Sequence, residues 1–187
     1  MMHYQNIIDL FYPQGENDEL RHILLTHSRS VAELAIKICK AHPELHADED
    51  FVYAAAMLHD IGIVRCDAPG IHCHGTEHYL RHGVVGAQML LEYSPDLGDY
   101  ARVCARHTGT GLTEKSIREQ NLPLPPQDLR PETIEEQIIC YADKFFSKTK
   151  LDKQKTYEQA LRSLERFGKE GLLVFKQWHE KFKITAD

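Results

Sequence analysis

The stretch Ala-Ala-Ala-Met-Leu-His-Asp-Ile-Gly, residues 54–62, places two ionisable side chains inside an apolar run. The run is apolar from Phe51 to Leu58, His59 and Asp60 follow, and Ile61 resumes the apolar pattern. Such a run predicts a core helix, where a charged carboxylate without a partner costs several kcal/mol. Partners for this histidine and this aspartate are therefore expected elsewhere in the chain.

The composition is that of an ordinary globular protein. The chain has 187 residues, of which 42% are hydrophobic and 27% are charged. Single cores run to about 250 residues, so we predict one domain over residues 1–187, with its core in about 20–150.

Charge, hydropathy and cysteine usage restrict the partners and the compartment. A formal net charge of −6 gives no electrostatic reason to bind a nucleic-acid backbone, so a nucleic-acid partner is disfavoured. No apolar run approaches the roughly 20 residues that span a bilayer, so no membrane partner is expected. The N-terminus lacks the basic and small-residue segments of a secretion signal. Five cysteines without a paired pattern suit a reducing compartment, and we expect a cytoplasmic protein.

Helical periodicity covers almost the whole chain. Apolar residues recur at i and i+3 or i+4, and residues 66–76 read as a loop between helices. The predicted helices lie at residues 17–41, 48–61, 77–92, 94–107, 113–120, 131–149 and 153–184. Since strand alternation is absent over any useful length, we predict an all-α fold. It is a single-domain helical bundle that the C-terminal helices of 153–184 close.

Five predicted helices carry one polar residue on the face that their apolar residues define. These residues are His27, His59, His82, His107 and Asp143. A lone histidine on an apolar face is more often a core residue than a ligand, but five such residues in one small domain need a common explanation. A metal centre supplies one, because a cation pairs with carboxylates and accepts imidazole lone pairs. A buried polar network is the alternative.

The adjacency of His59 and Asp60 is consistent with a metal centre. Neighbouring side chains on a helix point about 100° apart, so at a helix end the two can surround one ion. The aspartate has two oxygens and can therefore also bridge to a second ion.

The ordered set of these residues resembles a known family. His27, the pair His59-Asp60 with Ile61-Gly62 behind it, and Asp143 resemble the signature of the HD-domain superfamily of metal-dependent phosphohydrolases, in which HDIG is a familiar form. The resemblance covers about residues 20–150. It extends to the binuclear branch, whose pattern is H…HD…H…H…D, through two further residues, His82 and His107.

The resemblance implies an α-helical bundle with two divalent metal ions. The first ion would be held by His27, His59, Asp60 and Asp143. The second would be held by Asp60, as a bridge, and by His82 and His107. Iron or manganese is preferred, and zinc, nickel, cobalt or magnesium are alternatives. Some binuclear members have two consecutive histidines where this chain has only His107, so the ligand set can differ in detail.

Several residues are candidates for the chemistry. Two divalent ions about 3.5–4 Å apart can share a hydroxide that attacks phosphorus, with Asp60 as the bridge. Arg106 and Lys144 adjoin predicted ligands and are candidates for phosphate contact, with a solvated surface charge as the alternative. His74 is a candidate acid or phosphate donor on a lid over the metals. An exposed histidine-rich loop over residues 72–78 is the favoured alternative.

The predicted function is hydrolysis of a small phosphorylated metabolite, a nucleotide by preference. Phosphomonoesters, phosphodiesters and diadenosine polyphosphates are all compatible with the resemblance. Two other functions stay open, a di-iron oxygenase and a nucleotide-sensing module without turnover. The acidic net charge disfavours tRNA processing, and the lack of a Gly-Tyr-Pro element after an HD pair disfavours cyclic dinucleotides. The C-terminal apolar stripe reads as core, and a homodimer is compatible with it.

Overall fold

The computed structural model describes residues 3–184, and most of them are helical. The nine α-helices of this range are α1 (Tyr4–Phe11), α2 (Asp18–Ala41), α3 (Glu49–Leu58), α4 (His82–Tyr93), α5 (Gly98–Arg106), α6 (Glu114–Glu119), α7 (Ile134–Asp143), α8 (Tyr157–Ser163) and α9 (Lys169–Phe182). The predicted all-α class is confirmed. Within the described range, no helix has both the length and the apolarity needed to cross a membrane.

A small sheet lies in the loop predicted over residues 66–76 and in the first two residues of the helix predicted over 77–92. Its three strands are β1 (Cys66–Ala68), β2 (Cys73–His74) and β3 (Glu77–His78), in the order β2-β1-β3. The first pairing is antiparallel and the second is parallel. Strands of two or three residues are too short to show an alternating pattern, so hydrophobic periodicity could not predict them.

The core lies between α2, α3, α5 and α7, with α4 packed on α5. Leu24 of α2, Leu58 of α3 and Ile138 of α7 are fully buried within it. At the C-terminal end, α9 packs Phe175 and Phe182 against Tyr141 of α7, with ring centroids 5.3 and 5.5 Å apart. Burial of an aromatic ring contributes about 2–3 kcal/mol, so this contact stabilises α7 from outside.

Capping residues set where the helices begin. Asp48 accepts a hydrogen bond from Phe51 N and starts α3, as the acidic N-terminus predicted. Thr133 and Glu136 form a reciprocal capping box at the start of α7. The prediction of Pro131 as the first helical residue is therefore wrong, because this capping box starts the helix three residues later.

Helix ends bring polar side chains to one place in the core. The helix predicted over 48–61 ends at Leu58, which leaves His59 at its C-cap and Asp60 just beyond it. The helix predicted over 77–92 begins only at His82, after β3 and a 3₁₀ turn. His107 caps the end of α5, and Asp143 is the last residue of α7. The ends of α3, α4, α5 and α7 therefore meet, and the backbone groups at these helix ends lie beside the histidines and aspartates.

A close backbone approach holds the turn after Asp60 in place. The 3₁₀ helix Ile61–Arg65 packs on α4, and a Cβ at Gly62 would lie 2.2 Å from His82 O and 2.4 Å from Gly86 N. The hydroxyl of Tyr12 donates to Ile61 O at 2.7 Å and clamps the same turn. Only glycine fits at position 62, so the glycine of the HDIG stretch has a steric role.

We expect Gly62→Ala to lower the free energy of unfolding by about 2 kcal/mol or more, since overpacking a filled site costs about 1–3 kcal/mol. Urea titrations followed by circular dichroism measure this change. Gly98→Ala is the matched control, because a Cβ there has no neighbour within 4 Å and stability should stay unchanged. Equal stability of the two variants would contradict the steric role.

Candidate metal centre

Four residues that the sequence singled out form one polar cluster. His27 Nε2 lies 3.0 Å from Asp143 Oδ1 and 3.1 Å from Asp60 Oδ2. His59 Nε2 lies 3.1 Å from the same Asp60 oxygen and 3.5 Å from Asp143 Oδ1. All four ligand-type atoms fall within 4.8 Å of one another, which is close enough for one ion to contact every one of them.

A second cluster shares the carboxylate of Asp60. His82 Nε2 and His107 Nε2 each lie 3.4 Å from Asp60 Oδ1, the oxygen that does not face the first cluster. The two histidine nitrogens lie 2.9 Å from each other. Asp60 therefore presents one oxygen to each cluster, in the position of a bridging ligand.

Backbone carbonyls fix how three of the histidines present their nitrogens. The Nδ1 atoms of His59, His82 and His107 lie 2.6, 2.7 and 2.7 Å from the carbonyl oxygen three residues earlier in the chain. A carbonyl only accepts, so each Nδ1 carries the proton and each neutral ring keeps its Nε2 lone pair toward Asp60. This is the support that metal-ligating histidines usually have.

Burial and neighbouring charges set the protonation of the cluster. Burial would lower the pKa of His59, but the carboxylates of Asp60 and Asp143 raise it to about 9. Burial and His107 lower the pKa of His82 to about 3. Burial would raise the pKa of Asp60, but His59 and Lys148 hold it well below its ordinary value. The centre therefore contains ionised carboxylates beside the neutral imidazole of His82, and His59 would give up its proton to complete the donor set of a divalent metal.

Unpaired buried atoms test whether a metal fits this centre. Oδ1 of Asp60 and Nε2 of His59 are buried without a hydrogen bond in the described chain, and Oδ2 of Asp60 has the ammonium of Lys148 at 2.6 Å. Buried polar groups are normally bonded, and an unbonded carboxylate is costly. In addition, the facing lone pairs of His82 and His107 repel each other unless a proton or cation lies near both. Metal ions would satisfy all of these atoms, so the residues present fit bound metal.

A cavity of about 430 Å³ opens above the two clusters. His27, His82, His107 and Asp143 reach its surface, while Asp60 lies completely buried beneath. Four cationic side chains line its wall: Lys144, Lys148, Lys155 and Arg166. The cavity therefore joins a polar, metal-compatible floor to a positively charged wall.

The other predicted catalytic residues have different positions. Lys144 lines the cavity, and its Nζ donates to Asp143 Oδ2 at 2.7 Å and to His107 O at 2.8 Å. Arg106 points away, because its guanidinium donates to Arg130 O and pairs with Glu132 at 3.2 Å. This structural pairing replaces the predicted phosphate contact of Arg106.

His74 lies outside the cavity. It is exposed on β2, where Asp67 of β1 is its strand partner, and it does not line the wall above the clusters. The exposed-loop alternative for residues 72–78 therefore describes His74 better than the lid.

Lys148 is the residue that the sequence interpretation missed. Its Nζ lies 2.6 Å from Asp60 Oδ2 and forms an ion pair with that carboxylate. Asp60 keeps the pKa of Lys148 above its ordinary value despite burial. The available signal was the concentration of lysine after α7, at Lys144, Lys148, Lys150, Lys153 and Lys155 in an acidic chain.

Comparison with known proteins supports the resemblance. Residues 24–147 match the family described as the HD domain. An uncharacterized protein of Methanocaldococcus jannaschii is 36% identical over 129 residues, which are 68% of each chain. No solved structure gives a significant match.

Two further relatives are named tRNA (cytidine(56)-2'-O)-methyltransferases. The protein of Thermoplasma volcanium is 37% identical over 144 residues, which are 76% of this chain and 36% of the relative. The protein of Picrophilus torridus is 32% identical over 125 residues, which are 67% of this chain and 32% of the relative. The aligned regions span about a third of these methyltransferases, so their names describe much longer proteins.

The metal-free protein should lose stability as the pH rises through the titration of His59. Its folded pKa of about 9 exceeds the ordinary histidine value of 6.5, so the contribution of His59 to stability is complete below pH 6.5 and is lost toward pH 9. In chelator, we expect the free energy of unfolding to fall across this window by up to about 1.4 kcal/mol per pH unit. His59→Gln should remove this slope, and the exposed His22→Gln should keep it. Equal slopes in all three proteins would refute the assignment.

Lys148 and a metal ion would compete for the same oxygen of Asp60. We therefore expect Lys148→Met to bind Mn²⁺ about tenfold more tightly than the wild type, a difference of about 1.4 kcal/mol. Calorimetric titration of chelator-treated protein measures this affinity. Lys150→Met, an exposed neighbour in the same segment, should match the wild type. Unchanged or weaker affinity of Lys148→Met would show that the ammonium does not compete.

Proposed function

Because the chain belongs to the HD domain family, we propose that it is a metal-dependent phosphohydrolase acting on a small phosphorylated metabolite. The single observation that carries the proposal is the position of Asp60 between two ligand clusters at the floor of a cation-lined cavity. Metal ions bound at the floor would activate water, and the cationic side chains of the wall would stabilise the negative charge of a phosphate group.

The proposed ligands follow the two clusters. His27, His59, Asp60 and Asp143 would hold one ion, and Asp60, His82 and His107 would hold the other. When bound, two divalent ions supply Lewis-acid chemistry and lower the pKa of bound water. We propose iron or manganese, since imidazole with carboxylate and no thiolate suits both.

The other residues of the cavity would position the phosphate. Lys148 lies beside Asp60, so its ammonium can contact a phosphate oxygen while that phosphate meets the metal centre. Lys144 orients Asp143 through its 2.7 Å hydrogen bond and is therefore a positioning residue. Tyr79 stacks on His82, with centroids 4.8 Å apart, and shields that ring from water on the cavity side.

A nucleotide is the preferred substrate within this class. Tyr79, Phe146 and Phe167 line the cavity together with the cations, and aromatic rings can stack on a base. The names of two relatives are a reason to include tRNA among the tested compounds, although a net charge of −6 disfavours it. We also propose a reducing, cytoplasmic location, because all five cysteines are buried free thiols.

Asp60→Ala tests the proposal directly. We expect it to lose both ions and at least about a thousandfold in phosphate-ester hydrolysis, since it removes the ligand that both clusters share. Metal content is measured on protein purified without chelators, and activity on a panel of nucleotides and phosphate esters with Mn²⁺ or Fe²⁺. Asp67→Ala, an exposed aspartate on β1, is the control and should keep metal and activity.

Two outcomes would contradict parts of the proposal. Unchanged metal content in Asp60→Ala would exclude its bridging role. Metal-loaded wild type that takes up oxygen and hydrolyses no phosphate ester would favour the di-iron oxygenase instead.

A further inference from the structure

A second, more open pocket, here called the second chamber, adjoins the cavity above the metal centre. This chamber has a volume of about 340 Å³, and the two share five wall residues: Tyr79, Phe146, Lys148, Lys155 and Arg166. Its other walls include Gly70 and Ile71 from the loop between β1 and β2, and Ser147 and Thr149. None of the six clustered histidines and aspartates lines it. A ligand bound at the metal centre can therefore extend into a space with its own set of contacts.

The cations around these chambers differ in how their charge is compensated. Lys144 pairs with Asp143 at 2.7 Å, and Lys148 pairs with Asp60 at 2.6 Å. Within residues 3–184, Lys155 and Arg166 have no carboxylate within ion-pair distance. The shared wall thus presents two positive charges that have no direct ion-pair partner in the described chain.

These two charges are held near other positive charges. Lys155 Nζ donates to Lys144 O at 3.2 Å, and Lys155 N donates to Phe145 O at 2.8 Å, which fixes the lysine over the end of α7. Burial lowers the pKa of Lys155, Asp143 raises it in part, and the cations of Lys144, Arg166 and Lys148 lower it. Cations that repel one another in a partly buried wall are stabilised when an anion binds between them.

The concentration of positive charge is local. The whole chain has a formal net charge of −6, so the positive charge at these two chambers is not a property of the chain as a whole. Arg166 is also oriented by the ring of Phe167, whose centroid lies 4.8 Å from Cζ. Two cations, one anchored by the backbone and one by an aromatic ring, therefore face one chamber.

We propose that Lys155 and Arg166 form a second anion subsite, so that the substrate carries at least two phosphate groups. This inference rests on the proposed function, in which the first phosphate lies at the metal centre beside Lys148. The second phosphate then lies at the shared wall, in contact with Lys155 and Arg166. A compound with a single phosphate leaves both cations uncompensated and binds more weakly.

Calorimetric titration of the full chain with inorganic phosphate and inorganic pyrophosphate tests the subsite. At about 0.15 M salt, which screens exposed charges, we expect pyrophosphate to bind at least about tenfold more tightly than phosphate. Lys155→Met/Arg166→Met should abolish this preference and leave phosphate affinity within about twofold. Lys153→Met/Arg162→Met is the matched control, because both residues are exposed cations outside the two chambers. Arg166→Met alone removes an exposed side chain and provides a variant that should fold normally.

Each result decides between the two proposals. Equal affinity of the wild type for both anions, or an equal loss in the control variant, would overturn the subsite. A retained pyrophosphate preference in Arg166→Met and in the double variant would overturn it as well. If the preference depends on both residues but no phosphate compound is hydrolysed, the subsite stands and the proposed hydrolase function fails. If single phosphates are hydrolysed as well as double ones, the hydrolase function stands and the subsite fails.

Discussion

The buried carboxylate of Asp60 is the constraint on which the rest of the structure depends. It is inaccessible to solvent, and it has four histidines and a lysine within 3.4 Å. A buried carboxylate is stable only when opposite charge or a hydrogen-bond donor lies beside it. The side chains at the helix ends that meet here provide those partners. The backbone carbonyls at those ends accept the Nδ1 protons, which aims the imidazole lone pairs inward. The carbonyl groups at the helix ends therefore also orient the histidine side chains.

The close contact at Gly62 links this electrostatic arrangement to packing. Because the turn after Asp60 touches the backbone of α4, the first residues of that helix are held beside the carboxylate. The irregular segment after α7 then carries Lys148 back over the same oxygen. A cation is present at Asp60 even without a metal, which explains how so polar a centre is compatible with a folded chain. The lysine and the metal ions would be successive partners of one carboxylate.

Helical periodicity was enough to predict which polar residues meet. His27, His59, His82, His107 and Asp143 lie on apolar faces, and a buried aspartate requires partners, so their convergence followed from the sequence. The positions of Lys148 and Arg106 did not follow, because irregular segments set them. Lys148 depends on how the chain turns after Asp143, and Arg106 is drawn to Glu132 by an ion pair distant in sequence. The strands β2 and β3 and the short helix α1 were not predicted for a simpler reason. They contain too few residues for a clear hydrophobic period.

We propose above that Asp60 bridges two cations. Crystals of the full chain grown with Mn²⁺ and measured at the manganese absorption edge would locate those cations by anomalous scattering. We predict two peaks about 3.5–4 Å apart, one within coordinating distance of each oxygen of Asp60. The ligand clusters of His27 and of His82 should lie on opposite sides of the pair. Full manganese content with no anomalous peak at Asp60 would contradict the account.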